Sequence, residues 1–232
     1  MKIVILNYCG TVGKTTIATN LFQPRMNNAK IIAVDTINMT ASDLNSEAEV
    51  IKTHRFKEIY QQILIEDNLV IDVGASNIEN FLSNMVQYQN SHEEIDYFII
   101  PVTAGEKEQR ESMNTAIFLL EIGILANKIK FIFNKVNDDV EVVFHKIFSA
   151  CQKKNIPINK ELYIMETELF DELINSKVSL HSIINDSTDY KKMIKDAATS
   201  KEKIKYADLM AIRSLSQNIH IHFDNLFSKV FL

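Results

Sequence analysis

Short runs of consecutive apolar residues recur along this chain and constrain its fold more than any other feature. They are KIVILN (2–7), KIIAVD (30–35), NLVIDV (68–73), DYFIIPV (96–102), IKFIFN (129–134) and ELYIM (161–165). Each is rich in β-branched or aromatic residues and does not alternate with polar ones. That pattern belongs to strands buried on both faces, as in a parallel sheet covered by helices. The intervening segments, 14–22, 53–65, 77–89, 107–122, 139–154 and 168–175, carry helical patterning. Regular strand–helix alternation predicts an α/β fold, a doubly wound and mostly parallel sheet flanked by helices. After about residue 177 the pattern becomes helical throughout. The expected division is a core over 1–176 and a helical C-terminal extension over 177–232, packed on the core or forming an interface.

Doubly wound sheets bind ligands at the carboxyl ends of their strands, and the suggestive residues of this chain gather there. Asn7 to Thr16 follow the first run, Asp35 ends the second, and Asp72 and Gly74 close the third. Thr103 and Gly105 follow the fourth, and Asn134 ends the fifth. The first of these stretches is NYCGTVGKTT (7–16). Its core, Gly10-Thr11-Val12-Gly13-Lys14-Thr15-Thr16, lies between a strand and a helix. A helix start offers unpaired N–H groups and the positive end of the helix dipole to an anion. Gly13 lets the backbone approach phosphates, Lys14 brings a point charge to the outer phosphates, and Thr15 brings a hydroxyl for Mg2+. The general phosphate-loop pattern also wants a glycine five residues before Gly13, and that position holds Tyr8.

The variant that fits is K-G-G-x-G-K-T-T, and through it the loop resembles the ParA/MinD-type deviant Walker P-loop ATPases. Gly10, Gly13, Lys14, Thr15 and Thr16 match; Thr11 replaces a glycine and Cys9 replaces the signature lysine. VIDVGAS (70–76) resembles the Walker B strand, FIIPVTAGEKEQ (98–109) the segment that turns over the nucleotide, and FIFNKVND (131–138) the base-recognition strand end. NYCGTVGKTTIATNLFQPR, AVDTINM, VIDVGASNIE and FNKVNDD together are most similar to the StbB-type plasmid stability proteins of that family, over roughly residues 1–140. The resemblance implies a P-loop NTPase that binds ATP/ADP with Mg2+ and works in plasmid stability, segregation or conjugative transfer. It implies that residues Cys9, Gly10, Thr11, Val12, Gly13, Lys14, Thr15 and Thr16 cradle the phosphates. Thr15, Asp35 and Asp72 would serve Mg2+, with Lys14, Asp72 and Asp35 as the catalytic set, and Asn134 with Lys135 would meet the base. It also implies a homodimer in the ATP state and a partner plasmid-stability protein.

Two departures bear on hydrolysis. In the family the signature lysine reaches the phosphates of the other subunit, and Cys9 carries no positive charge. An aspartate expected two residues after Asp35 is Ile37. Losing an electrostatic partner in phosphoryl transfer costs orders of magnitude in rate. Lys107, Arg110 or Asp43 are candidate substitutes. The expectation is a slow or partner-stimulated ATPase; the alternative is a nucleotide-binding adaptor that does not hydrolyse. NKVN (134–137) nearly spells the guanine signature N-K-x-D, but the closing aspartate is Asn137, with Asp138 one residue late. Ala75 also stands where a GTPase would want glycine, and both near misses favour adenine.

The remaining features are weaker. Residues 190–205 hold six lysines against two acids. The span Lys191–Lys205 is either a solvated helix face or a weak non-specific DNA contact, in which each lysine adds a salt-sensitive increment. The net charge of −5 removes any global basic field. The tail places Ile219, Phe223, Leu226, Phe227 and Val230 on one helical face. Its polar side is not lysine-rich, which argues for packing on protein and against a membrane-surface helix. The start MKIVIL is too short for a signal-peptide core. Cys9 and Cys151 make neither a disulfide framework nor a zinc spacing, so a cytoplasmic setting is expected.

Overall fold

The computed structural model describes residues 1–27, 29–34 and 48–231. Asp35, Ile37 and Asp43 lie outside the described residues. Contacts divide the chain into two compact units, Met1–Glu166 with Lys229–Leu232, and Thr167–Ser228.

The first unit is built on β1 (Lys2–Ile5), β2 (Lys30–Val34), β3 (Glu49–Ile51), β4 (Leu69–Val73), β5 (Tyr97–Val102), β6 (Ile129–Val136) and β7 (Tyr163–Met165). Among the described residues these seven strands form one sheet in the order β3-β2-β4-β1-β5-β6-β7, and every pairing is parallel. The continuous apolar runs are explained by burial: all residues of β4 are buried, and all of β5 after Tyr97. Each apolar residue removed from water on both faces stabilises the sheet by roughly 1.5–3 kcal/mol before ordering costs.

The helices of this unit are α1 (Lys14–Ile17), α2 (Gln23–Arg25), α3 (Phe56–Ile65), α4 (Ile78–Gln87), α5 (Glu106–Glu121), α6 (Val140–Val143) and α7 (His145–Lys154). A π-helical turn, Ala18–Phe22, joins α1 to α2. The buried faces of α3 (Phe56, Ile59, Ile63) and α4 (Ile78, Phe81, Leu82, Met85) keep the i, i+3/i+4 spacing expected of helices laid on a sheet.

One strand had no counterpart in the sequence reading. β3 is three residues long, lies at the sheet edge and begins with Glu49. Its charge and brevity suit an edge that must not recruit another strand. Glu49 is held 2.9 Å from Lys30 Nζ at the start of β2.

The second unit contains α8 (Leu169–Asn175), α9 (Leu180–Ile184), α10 (Tyr190–Asp196) and most of α11 (Ser200–Val230). The segment before α10 is fastened by polar contacts. Asp186 accepts from Thr188 N at 2.9 Å, from Thr188 Oγ1 at 2.5 Å and from the Tyr190 hydroxyl. Arg213 donates to the Asp186 carbonyl (3.1 Å) and the Thr188 carbonyl (2.7 Å), with its guanidinium 4.8 Å over the Tyr190 ring. The hydroxyl and amide bonds hold the Asp186 carboxyl down at a pKa of about 2. In the tail, Ile219, Phe223, Leu226 and Val230 are buried within the chain. Phe231 lies 4.8 Å from Tyr97 and 6.3 Å from Phe22. No helix among the described residues is long and apolar enough to cross a membrane.

Candidate phosphate-binding site

The topology puts the loop at the point where strand order reverses. β1 lies between β4 and β5, and the chain leaves it for β2 on one side and later returns to β5 on the other. Ile5 is in register with Asp72 on β4 and with Ile99 on β5. The loop from Asn7 to Gly13 therefore emerges beside the ends of both neighbours. That crevice is where open α/β sheets hold ligands.

The first half of the loop is tied to α5. Asn7 is fully buried; its Nδ2 donates to the Pro101 carbonyl and to Ser112 Oγ, each at 2.7 Å. Its Oδ1 accepts from Cys9 N at 2.8 Å, turning the chain back on itself. Tyr8 N donates to Thr115 Oγ1 at 3.3 Å, and Cys9 Sγ points at Glu108 Oε1, 3.7 Å away. Residues 108, 112 and 115 share one helical face. No motif assigns a role to Ser112, Thr115 or Glu108; the signal of the first two in the sequence is small hydroxyl residues in the buried stripe of α5. The Tyr8 hydroxyl is raised in pKa, first by burial and then by the charges of Glu79 and Glu111.

The second half encloses Lys14. Gly13 has φ 88°, a left-handed conformation open to glycine at little cost, and it opens α1. Lys14 is 5 % exposed, and its Nζ donates to the Cys9 carbonyl (2.7 Å) and the Asn7 carbonyl (3.2 Å). The ammonium thus sits in the ring of the loop. Thr15 Oγ1 donates to Asp72 Oδ2 at 2.6 Å. A hydroxyl and a carboxylate side by side are hard oxygen donors. They suit Mg2+, which takes few protein ligands and completes its shell with phosphate and water. Gly10 and Thr11 are exposed, and among the described residues nothing beyond its chain neighbours lies within 4 Å of where a Gly10 side chain would begin.

Asn134 comes to the same loop from β6. Its Nδ2 donates to the Val12 carbonyl at 2.9 Å, and its Oδ1 accepts from Lys135 N at 3.0 Å. The Lys135 side chain is exposed. The loop residues Cys9 to Thr16, with Asp72 and Asn134, are thus brought together. Arg110 is drawn to Glu111 at 3.5 Å. Asp138 accepts from Asp139 N (2.7 Å) and Asp139 caps α6 through Val142 N (3.1 Å), so the late aspartates of the guanine-like signature serve the backbone. The Cys151 thiol is pushed up to about 12 by burial, which makes it an inert core residue.

The sequence matches no family profile and no curated protein. Among solved structures, the chain is similar to a candidate plasmid partition protein from Borrelia burgdorferi B31 bound to AMPPNP. The TM-score is 0.51 at 17 % identity, over 91 % of this chain and 97 % of that one. It is also similar to the MinD cell division protein of Aquifex aeolicus, at TM-score 0.50 and 15 % identity over 93 % and 97 % of the two chains. The MinC:MinD complex of the same organism matches at TM-score 0.50 and 16 % identity, over 93 % and 95 %. The fold is that of the ParA/MinD-type P-loop ATPases. Within that fold, the loop after β1 and the end of β4 in this chain bring Lys14, Thr15 and Asp72 together.

Proposed function

We propose that this protein binds Mg-ATP and acts as a ParA-like nucleotide switch with slow or partner-stimulated ATP hydrolysis. One observation carries the reading: Lys14 is held inside the loop by two carbonyls while Thr15 pairs with Asp72 alongside it. A loop closed around its own ammonium is pre-shaped for the phosphates that would replace those carbonyls. Mg2+, when bound, neutralises phosphate charge; Thr15 and Asp72 hold it, with Asp35 as a further candidate. The backbone of residues 10–16 cradles the phosphates.

The StbB-like motifs support a cytoplasmic role in plasmid stability, segregation or conjugative transfer, with a homodimer in the ATP state and a partner plasmid-stability protein. Lys191, Lys192 and Lys195 on α10 and Lys201, Lys203 and Lys205 on α11 are exposed, which supports a weak DNA contact. Charge reversal at 191, 192 and 195 is expected to abolish a salt-sensitive gel shift; an unchanged shift removes the DNA contact from this reading.

A second reading, a non-hydrolysing nucleotide-bound adaptor, is favoured by one contact. A carboxylate, Glu108, stands at Cys9, the place where the resemblance calls for a lysine. Titration of the purified protein with Mg-ATP and Mg-ADP, followed by turnover with DNA and the neighbouring plasmid proteins present, separates the two. Micromolar binding with turnover supports the switch, and binding without turnover supports the adaptor. A folded protein that binds neither nucleotide sinks both.

A further inference from the structure

The guanine-like stretch NKVN places Asn134 where a base would be read, yet its side chain is turned into the phosphate loop. Asn134 is 8 % exposed, and both ends of its amide are engaged within the chain. The Nδ2 end donates to the Val12 carbonyl, the last carbonyl before Gly13. The Oδ1 end accepts from Lys135 N, and Lys135 itself takes a left-handed turn with φ 55°. The strand itself is built for this. Phe133 pairs with Tyr163 and Val136 with Met165, so β6 carries one residue more than β7 between the two pairs. An extra residue of this kind bends a strand and re-aims a side chain. Phe133, just before it, is pinned by Phe144 at 4.6 Å and by stacked Phe148 at 5.4 Å.

Gly13 completes the interlock. A Cβ on Gly13 would lie 2.3 Å from Asn134 Nδ2. Its positive φ already disfavours a side chain, and the Asn134 amide fills the space one would need. The residue that begins the phosphate-binding helix is therefore locked to the end of β6 by a hydrogen bond on one side and close packing on the other.

Building on the nucleotide reading proposed above, we infer that Asn134 is a positioning residue for the phosphate loop: it holds the Val12–Gly13 peptide in the orientation that binds phosphate. It acts on phosphate affinity whatever base is attached. A buried donor on a loop carbonyl contributes on the scale of a single hydrogen bond, about tenfold in affinity.

The test uses a ligand without a base. Mg-tripolyphosphate, Mg-ATP and Mg-GTP are titrated into wild type, Asn134→Ala and Asn134→Asp, the latter keeping the shape but removing the donor. The expected result is a loss of about tenfold for all three ligands, with the ATP-to-tripolyphosphate affinity ratio unchanged. A loss for ATP with tripolyphosphate unaffected makes Asn134 a base reader and overturns the inference. Unchanged affinity for all three also overturns it.

Amide hydrogen exchange in the ligand-free proteins provides a readout independent of nucleotide. Asn134→Ala should speed exchange at Gly13 to Thr15 and leave β1 and β4 as in wild type, a local effect that general destabilisation would not produce. No local change sinks the inference even if the loop binds nothing, whereas failure of wild type to bind any ligand sinks the nucleotide reading alone. If the alanine variant does not fold, Asn134→Asp is carried through both measurements.

Discussion

The two halves of the phosphate loop are built to different standards. From Val12 to Thr16 the proposed phosphate and Mg2+ groups are fixed by contacts: Gly13 under Asn134, Lys14 on two carbonyls, Thr15 on Asp72. From Tyr8 to Thr11 the loop departs from the pattern it resembles. Thr11 stands for a glycine, Cys9 stands for a lysine beside the carboxylate of Glu108, and Tyr8 stands where the general phosphate-loop pattern has a glycine. Holding a nucleotide and splitting it make separate demands. Binding needs donors and a shaped backbone, whereas hydrolysis needs charge that meets the transition state. On the reading proposed here, the loop is better equipped for the first than for the second.

That contrast can be broken most forcefully at Lys14. Lys14→Ala is expected to lower Mg-ATP affinity about 100-fold or more, the scale of a charged hydrogen-bond partner. Calorimetric titration measures it, and affinity within threefold of wild type would mean the second half is not the grip. Next in size, Asp72→Asn should erase most of the difference between ATP affinity with and without Mg2+, about tenfold, since the carboxylate beside Thr15 loses its charge. A Mg2+ dependence equal to wild type would remove Asp72 from the metal site.

The first half is sharpened by restoring charge. Cys9→Lys combined with Glu108→Gln should raise ATP turnover about tenfold while leaving affinity within about threefold. Phosphate-release kinetics report it, and no gain would show that Cys9 is not what limits hydrolysis.

The smallest effect lies far from the loop in sequence. Asp186 has a pKa near 2 against an ordinary value of 3.8. A lowered folded-state value means that its contribution is complete above about pH 4, fades as pH falls through 3.8 toward 2, and is gone below 2. Exchange protection around residues 186–190 should therefore weaken over that window in wild type and show less pH dependence in Asp186→Asn. Equal profiles would mean that the Asp186 cluster does not titrate with the fold.

The sheet was largely legible because strands buried on both faces are apolar on successive residues, as β1, β2, β4, β5 and β6 largely are, and the edge strand β7 shares the apolar run. β3 was not, because three residues led by a glutamate carry no such signature; only pairing with β2 makes them a strand. The loop was legible as spacing, since Gly13, Lys14 and Thr15 act through local backbone geometry. Its supports were not. Asn7 meets Ser112 across 105 positions, and Asn134 meets Val12 across 122. The NKVN stretch marks Asn134 as a candidate to meet the base, and its bond to the Val12 carbonyl carries no signal in the neighbouring sequence.

Sequence alone determined the alternation of strands and helices, the place of the glycine-lysine-threonine loop after the first strand, and the uncharged side chain at residue 9. These follow from short-range rules, namely burial periodicity, the turn that glycine permits and the charge a side chain carries. The tertiary structure decided where Lys14 rests, that Thr15 and Asp72 meet, that Glu108 faces Cys9, and that Asn134 donates to the Val12 carbonyl beside Gly13. Each of these depends on which strands lie side by side, and strand order arises from packing of the whole sheet, which no local stretch of chain encodes.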